Sequence, residues 1–288
     1  MKITFIGLGI MGSRMASHLA KNNVHLTVYN RSIKDIEALD LPNVTVANSA
    51  QNAVRDADIV FSMLSDPNAI EEVFFGNEGA LKSMKENAIW VDSTTVNPSF
   101  SIRSFEEAKL SQVRFLDAPV SGSTPQADGA ALVFFVGGED ETLKIVEPYI
   151  NMMGNKIVHV GGIGKGASLK MVVNSMLAQS MVVFSEAVLF GEKMGISRDF
   201  LLDLVPNLLV SPPITKLKAE VIRADKYEAQ FPLELMYKDV RLANLTAKEE
   251  NHRLFLAGIT EELYAAANEN GMGGLDISAI FKYLDQKK

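Results

Sequence analysis

The chain has 288 residues, 47% of them hydrophobic, so it is long enough for one large domain or two ordinary ones, each with a real core. Its net charge of −7 is spread thinly with no basic cluster, which argues against nucleic acid or another polyanion as partner. Cysteine is absent, which excludes disulfides, thiolate metal sites and cysteine nucleophiles, and the histidines His18, His25, His159 and His252 lack metal-ligand spacing, so no metal is expected.

The chain opens on a strand-like run, "KITFIG", with no room for a signal peptide, and a cytoplasmic location is the expectation. Up to about residue 162, short apolar or β-branched runs alternate with amphipathic segments: "ITFIG", "HLTVYN", "VTVA", "DIVFSML", "AIWVDST", "RFLDAP", "LVFFVGG" and "KIVHVG". That alternation predicts an α/β domain with a parallel sheet covered by helices. After "GGIGKG" the strand signals stop, which places a domain boundary near 162 to 166. A long helix is predicted over about 166 to 193. It is apolar nearly all round and so expected to be buried, joining two domains or sitting in a subunit contact. Asn174, Ser175, Gln179, Ser180, Ser185 and Glu186 interrupt it, so no membrane span is expected. Further helices are predicted at about 197 to 207, 212 to 224, 233 to 250, 252 to 270 and 276 to 285, divided by "SPP", "FP" and "GMGG". The expected domains are therefore 1 to 162 and an all-α 163 to 288.

The first motif is "FIGLGIMGSRMASHLA", in which Gly7, Gly9 and Gly12 form G-x-G-x-x-G between a strand and a helix. Such a loop, here with Leu8, Ile10 and Met11 between its glycines, points backbone N–H groups at the pyrophosphate of a dinucleotide. A site for the NAD ribose normally has an Asp or Glu about 20 residues further on. This chain has "VYNRS" there, and Asn30, Arg31 and Ser32 supply a cation and neutral donors with no carboxylate to repel a 2′-phosphate. NADP (NADPH) is therefore the expected cofactor. Met63 and Leu64, after "DIVFS", and Thr95, after "AIWVDST", fall at strand carboxyl ends, where cofactors sit in open α/β sheets.

Three more stretches join the glycine motif: "DAPVSGS" (117 to 123), "GGIGKGASLKMVVN" (161 to 174) and "FPLELMYKDVRLANL" (231 to 245). In order and spacing the four together resemble the β-hydroxyacid dehydrogenase family, which includes 3-hydroxyisobutyrate dehydrogenase, tartronate semialdehyde reductase and the glyoxylate/succinic semialdehyde reductases. The resemblance covers essentially the whole chain. "VYNRS", "MLSDP" and "VSGS" look most like the NADPH-dependent glyoxylate/succinic semialdehyde reductase branch. The resemblance implies a Rossmann-type doubly wound sheet, a long interdomain helix and an all-α second domain.

It also implies roles. Lys170 is expected to be the catalytic acid/base, donating a proton to the alkoxide that forms when an aldehyde carbon accepts hydride. Asn174, one helical turn on, shares its face and is expected to orient the lysine and bind substrate. Ser121 and Gly122, with Ser123, are expected to bind the substrate carboxylate. Lys238 is expected close to the nicotinamide, Asp239 to support the local network and Phe231 to shape the substrate pocket. Ser123 stands where many members have a second glycine, and "TPQADG" lacks a lysine often found in the semialdehyde reductases, which bears on the preferred acid.

The expected activity is NADPH-dependent reduction of a small aldehyde acid such as glyoxylate or succinic semialdehyde to the hydroxy acid, by a homo-oligomer (dimer or tetramer). The alternatives are a 3-hydroxyisobutyrate dehydrogenase or a tartronate semialdehyde reductase. An imine reductase or a non-catalytic cofactor-binding module is disfavoured by Lys170 and Asn174.

Overall fold

The computed structural model describes residues 1–32, 39, 41–76 and 78–285, which form two compact units, Met1–Lys170 and Met171–Lys288. In chain order the first unit contains β1 (Ile3–Ile6), α1 (Gly12–Lys21), β2 (Leu26–Tyr29), β3 (Val44–Val46), α2 (Ala50–Val54), β4 (Ile59–Ser62), α3 (Pro67–Phe74), β5 (Ile89–Asp92) and α4 (Pro98–Leu110). It continues with β6 (Arg114–Asp117), β7 (Val120–Ser121), α5 (Thr124–Asp128), β8 (Leu132–Gly137), α6 (Asp140–Met153) and β9 (Gly154–Gly161). The long helix α7 (Lys165–Lys193) begins in this unit and runs on into the second.

The strands make one sheet in the order β3-β2-β1-β4-β5-β6-β8-β7, with β9 beside β8. From β3 to β6 every pairing is parallel. The sheet is parallel as expected except at β8, which runs antiparallel to β6 and β7. The link from β6 to β8 holds only β7 and the short α5, with no helix long enough to cover the sheet as a parallel crossover does, and the strand returns in the opposite sense.

The central strands are buried on both faces, which explains their unbroken apolar runs. Ile59, Phe61, Ile89, Val91 and Leu116 join one core with Met15 and Leu19 of α1 and Val146 and Ile150 of α6. Their alternates Val60, Trp90 and Phe115 join the other with Val54, Ile70, Phe74 and Ala108 from α2, α3 and α4. Trp90 stacks on Phe74 at 4.2 Å between ring centres. Its indole N–H donates to Ser62 Oγ (2.8 Å), and Ser62 donates in turn to Asp92 (2.8 Å), so this buried polar chain is satisfied inside the sheet.

The second unit contains the rest of α7, then α8 (Arg198–Leu204), α9 (Pro213–Ala224), α10 (Leu233–Glu249), α11 (Phe255–Ala267) and α12 (Ala279–Leu284). Its core is built from Met181, Phe184 and Val188 of α7, Ile222 of α9, Met236 and Val240 of α10, Tyr264 of α11 and Phe281 of α12. The helix predicted over 252 to 270 starts later, at Phe255, and winds into a π-turn at Asn268–Met272 where Gly271 takes φ +78°. Among the described residues α7 alone is long and apolar enough to cross a membrane, yet much of that stretch is buried within the fold.

Candidate active site

The strand order reverses between β1 and β4, the place where open α/β sheets leave a crevice at their carboxyl ends. The glycine loop fills one lip of it. A side chain at Gly7 would put a Cβ 2.3 Å from the Met63 carbonyl, and one at Gly12 would lie 2.0 Å from the Gly7 carbonyl. At Gly9 a Cβ would meet nothing within 4 Å, so the backbone there faces open space. No acidic residue lies in the first turn of α1, so nothing of its own opposes an anion at those N–H groups. These residues fit the diphosphate of a dinucleotide.

Asn30 has an architectural task here. Its Oδ1 accepts the Leu8 N–H (3.1 Å) and its Nδ2 donates to the Ser32 carbonyl (2.8 Å), tying the glycine loop to the end of β2. Arg31 is exposed and points its guanidinium toward Glu72 of α3 at 3.6 Å. On the other lip, Met63 and Leu64 are half-buried, and the Leu64 N–H donates to Thr94 Oγ1 (3.0 Å). Thr94, the neighbour of the predicted Thr95, thus pins β4 to β5. Sequence reading passed over it because adjacent threonines at a strand end look alike until the strand register is known.

Within the same unit the structure brings Lys170 to the serine loop. Lys170 is only 7% exposed, and its ammonium donates to the Val120 carbonyl (2.8 Å), the residue before Ser121. Gly122 takes φ +125°, a conformation L side chains rarely adopt. Ser123 gives both its N–H (3.0 Å) and its hydroxyl (3.4 Å) to Gln126 Oε1, so it opens α5. His18 of α1 holds that helix from the other side, Nε2 donating to the Ala127 carbonyl (2.9 Å). Asp117, at the head of "DAPVSGS" and not among the predicted site residues, is 1% exposed and accepts backbone N–H groups from Gly164 and Ala167.

In the second unit three predicted residues form one chain of contacts. Asn174 Nδ2 donates to Asp239 Oδ2 (2.6 Å), and the Lys238 ammonium lies 3.1 Å from Asp239 Oδ1. Asn174 and Asp239 are buried at 1% and 2% exposure, and the ammonium compensates the carboxylate charge. Phe231 is held by its backbone, its N–H reaching Asp276 Oδ2 (3.3 Å) and its carbonyl accepting from Ile277 (2.9 Å). Asp276 also receives Lys218 (2.8 Å), the Gln230 N–H (3.2 Å) and both N–H and hydroxyl of Ser278 (3.1 and 2.7 Å). Lys218 and Asp276 carried no signal in sequence, since they lie 58 residues apart and neither belongs to a recognisable motif.

Comparison with known proteins agrees with this architecture. Residues 2–161 match the family of the NAD binding domain of 6-phosphogluconate dehydrogenase, and residues 164–284 match the NAD-binding family of NADP-dependent 3-hydroxyisobutyrate dehydrogenase. Glyoxylate/succinic semialdehyde reductase 2, chloroplastic, of Arabidopsis thaliana is 32% identical over 286 residues, covering 99% of this chain and 80% of that protein. Glyoxylate/succinic semialdehyde reductase 1 of the same plant is 31% identical over 282 residues, covering 98% of each. The solved structure of Mycobacterium tuberculosis 3-hydroxyisobutyrate dehydrogenase with L-serine superposes with a TM-score of 0.88 at 26% identity, covering 99% of each chain. The glycine-loop crevice, the buried lysine beside the serine loop and these matches over both units place the chain in the β-hydroxyacid dehydrogenase family, NAD(P)-dependent dehydrogenases and reductases that act on hydroxy acids.

Proposed function

We propose that the protein is an NADPH-dependent reductase of a small aldehyde acid, glyoxylate or succinic semialdehyde, with Lys170 as proton donor. The observation that carries this reading is the buried Lys170 ammonium fixed at 2.8 Å on the carbonyl that precedes Ser121. Its likeness to the two plant glyoxylate/succinic semialdehyde reductases supports the choice of substrate.

Gly7, Leu8, Gly9, Ile10, Met11 and Gly12 would hold the diphosphate, Arg31 and Ser32 the 2′-phosphate, and Met63, Leu64, Thr95 and Lys238 the nicotinamide side. Bound NADPH supplies hydride to the carbonyl carbon. Ser121 and Gly122, with Ser123, bind the substrate carboxylate through hydroxyl and N–H donors. Lys170 stabilises the alkoxide oxygen and gives it one ammonium proton, so the aldehyde becomes a primary alcohol and the lysine becomes neutral until solvent reprotonates it. Asn174, oriented by Asp239, holds substrate and lysine in line, and Phe231 limits the length of the acid.

An assay following NADPH absorbance against glyoxylate, succinic semialdehyde, tartronate semialdehyde and methylmalonate semialdehyde tests the reading. Turnover is expected to be highest with one of the first two. A second reading, oxidation of 3-hydroxyisobutyrate, draws on mouse 3-hydroxyisobutyrate dehydrogenase, 30% identical over 294 residues. Faster turnover of that alcohol with NAD(P) than of any aldehyde acid with NADPH would replace the first reading by the second.

The active form is read as a dimer or tetramer. Along α7, Met176, Val183 and Phe190 recur every seven residues at 65%, 62% and 65% exposure, an apolar seam suited to a second helix. Light scattering that returns the monomer mass would exclude it.

A further inference from the structure

Asp117 closes β6 with its side chain turned to the start of α7. Oδ1 accepts the Gly164 N–H at 2.7 Å and Oδ2 the Ala167 N–H at 2.8 Å. N–H groups at a helix start have no partner within the helix, so a strand far away in sequence supplies their cap. The approach is close enough to dictate composition. A Cβ at Gly166 would lie 2.9 Å from Asp117 Oδ2 and 2.3 Å from the Phe135 carbonyl, and one at Gly137 would lie 2.5 Å from Oδ1. Lys170 follows one turn after Ala167, and its ammonium rests on Val120, in the segment that leaves Asp117. One short stretch of chain, 117 to 120, therefore grips the helix start by its backbone and the lysine by its tip.

We propose that Asp117 is a positioning residue for Lys170: its carboxylate sets the height and rotation of the first turn of α7, and with them the place of the ammonium beside Ser121. This rests on the reading of Lys170 as proton donor.

The device requires a carboxylate, because each oxygen accepts a separate N–H. Burial pushes the Asp117 carboxyl up to about 6 against the lowering effect of those N–H groups, and Asp92 on the adjacent β5 pushes the same way. The other elements packed against it bring little charge. β8 has none, α4 turns Arg103, Glu106 and Lys109 to solvent with Glu107 half-buried, α6 exposes Asp140, Glu141, Lys144 and Glu147, and β9 holds His159 on the Gly138 carbonyl. On α7, Lys165 is exposed and Lys170 is the buried cation. Protonation of Asp117 near pH 6 therefore loosens the cap, and the rate falls with it.

The test compares purified wild-type protein, Asp117→Asn and Lys170→Ala, each with NADPH and the best aldehyde acid from pH 5 to 8. Wild-type kcat is expected to fall on the acid side of about pH 6 while circular dichroism shows the fold intact. Asp117→Asn is expected to lose about tenfold or more in kcat, with the dissociation constant for NADPH within about twofold of wild type, and to lose the acid limb, since an amide does not titrate. A purely structural role would leave that limb in place. If Lys170→Ala is inactive and Asp117→Asn keeps wild-type kcat or the acid limb, the proposal is overturned while the lysine reading stands. If Lys170→Ala keeps full kcat, the lysine reading falls and the proposal with it. Should Asp117→Asn not fold, the wild-type profile decides, and a kcat flat from pH 5 to 8 in folded protein overturns the proposal.

Discussion

Lys170 donates to the carbonyl of Val120 at 2.8 Å, so the one charge in an apolar helix segment is anchored on the strand that leads into the serine loop. The contact replaces part of the hydration an ammonium loses on burial, which otherwise costs several kcal/mol. It also fixes where the ammonium lies, beside Ser121.

Replacing Lys170 by alanine is expected to lower kcat by about two to four orders of magnitude, the range for losing a positioned general acid. The NADPH dissociation constant, read by fluorescence titration, should stay within about twofold, because the proposed phosphate donors are the N–H groups of the glycine loop and not the lysine. Lys170→Arg should recover little, since a planar guanidinium cannot reproduce a single ammonium contact with the Val120 carbonyl.

Asn174 and Asp239 act as a pair through the 2.6 Å hydrogen bond between them. Alanine at either position should reduce kcat/KM, and the double variant should cost less than the sum, with a coupling of about 0.5–3 kcal/mol. Additive losses in that cycle would show that the two side chains work independently.

Arg31 should control cofactor choice. Arg31→Ala is expected to weaken NADPH about tenfold or more, the worth of a charge-assisted contact, and to leave NADH nearly unchanged. The ratio of kcat/KM for the two cofactors reads this directly. Glu72, 3.6 Å from the guanidinium, is an exposed partner and should matter much less.

The buried Lys218–Asp276 pair should be a stability determinant of the second unit. Lys218→Met leaves a carboxylate buried beside Phe231 without its cation, at a cost of about 3–5 kcal/mol in denaturant unfolding. A loss below about 1 kcal/mol would mean that the four backbone and hydroxyl donors to Asp276 suffice.

Asp117 also sets a pH dependence of stability. Its folded-state pKa is raised from 3.8 to about 6, so the folded protein binds the proton more tightly than the unfolded chain. Its contribution to stability is therefore greatest below about pH 4 and is lost as pH rises to about 6, by about 3 kcal/mol in all. The difference in unfolding free energy between wild type and Asp117→Asn, measured from pH 4 to 7, should change with that sign.

The sequence by itself determined the kinds of element and the place of the glycine loop between β1 and α1. Unbroken runs such as "DIVFS" and "AIWVD" predicted strands buried on both faces, because alternate residues of a strand face opposite cores and both must be apolar here. The glycine spacing marked the crevice for a local reason, since Gly7 and Gly12 are neighbours in one tight turn where a Cβ has no room. The antiparallel return of β8, the cap that Asp117 places on α7, the Leu64–Thr94 tie and the Lys218–Asp276 pair were decided only by the tertiary structure. Each joins residues far apart in the chain. A polar side chain reads the same in sequence whether it meets water or a buried partner, and only the packing of distant segments determines which of the two it meets.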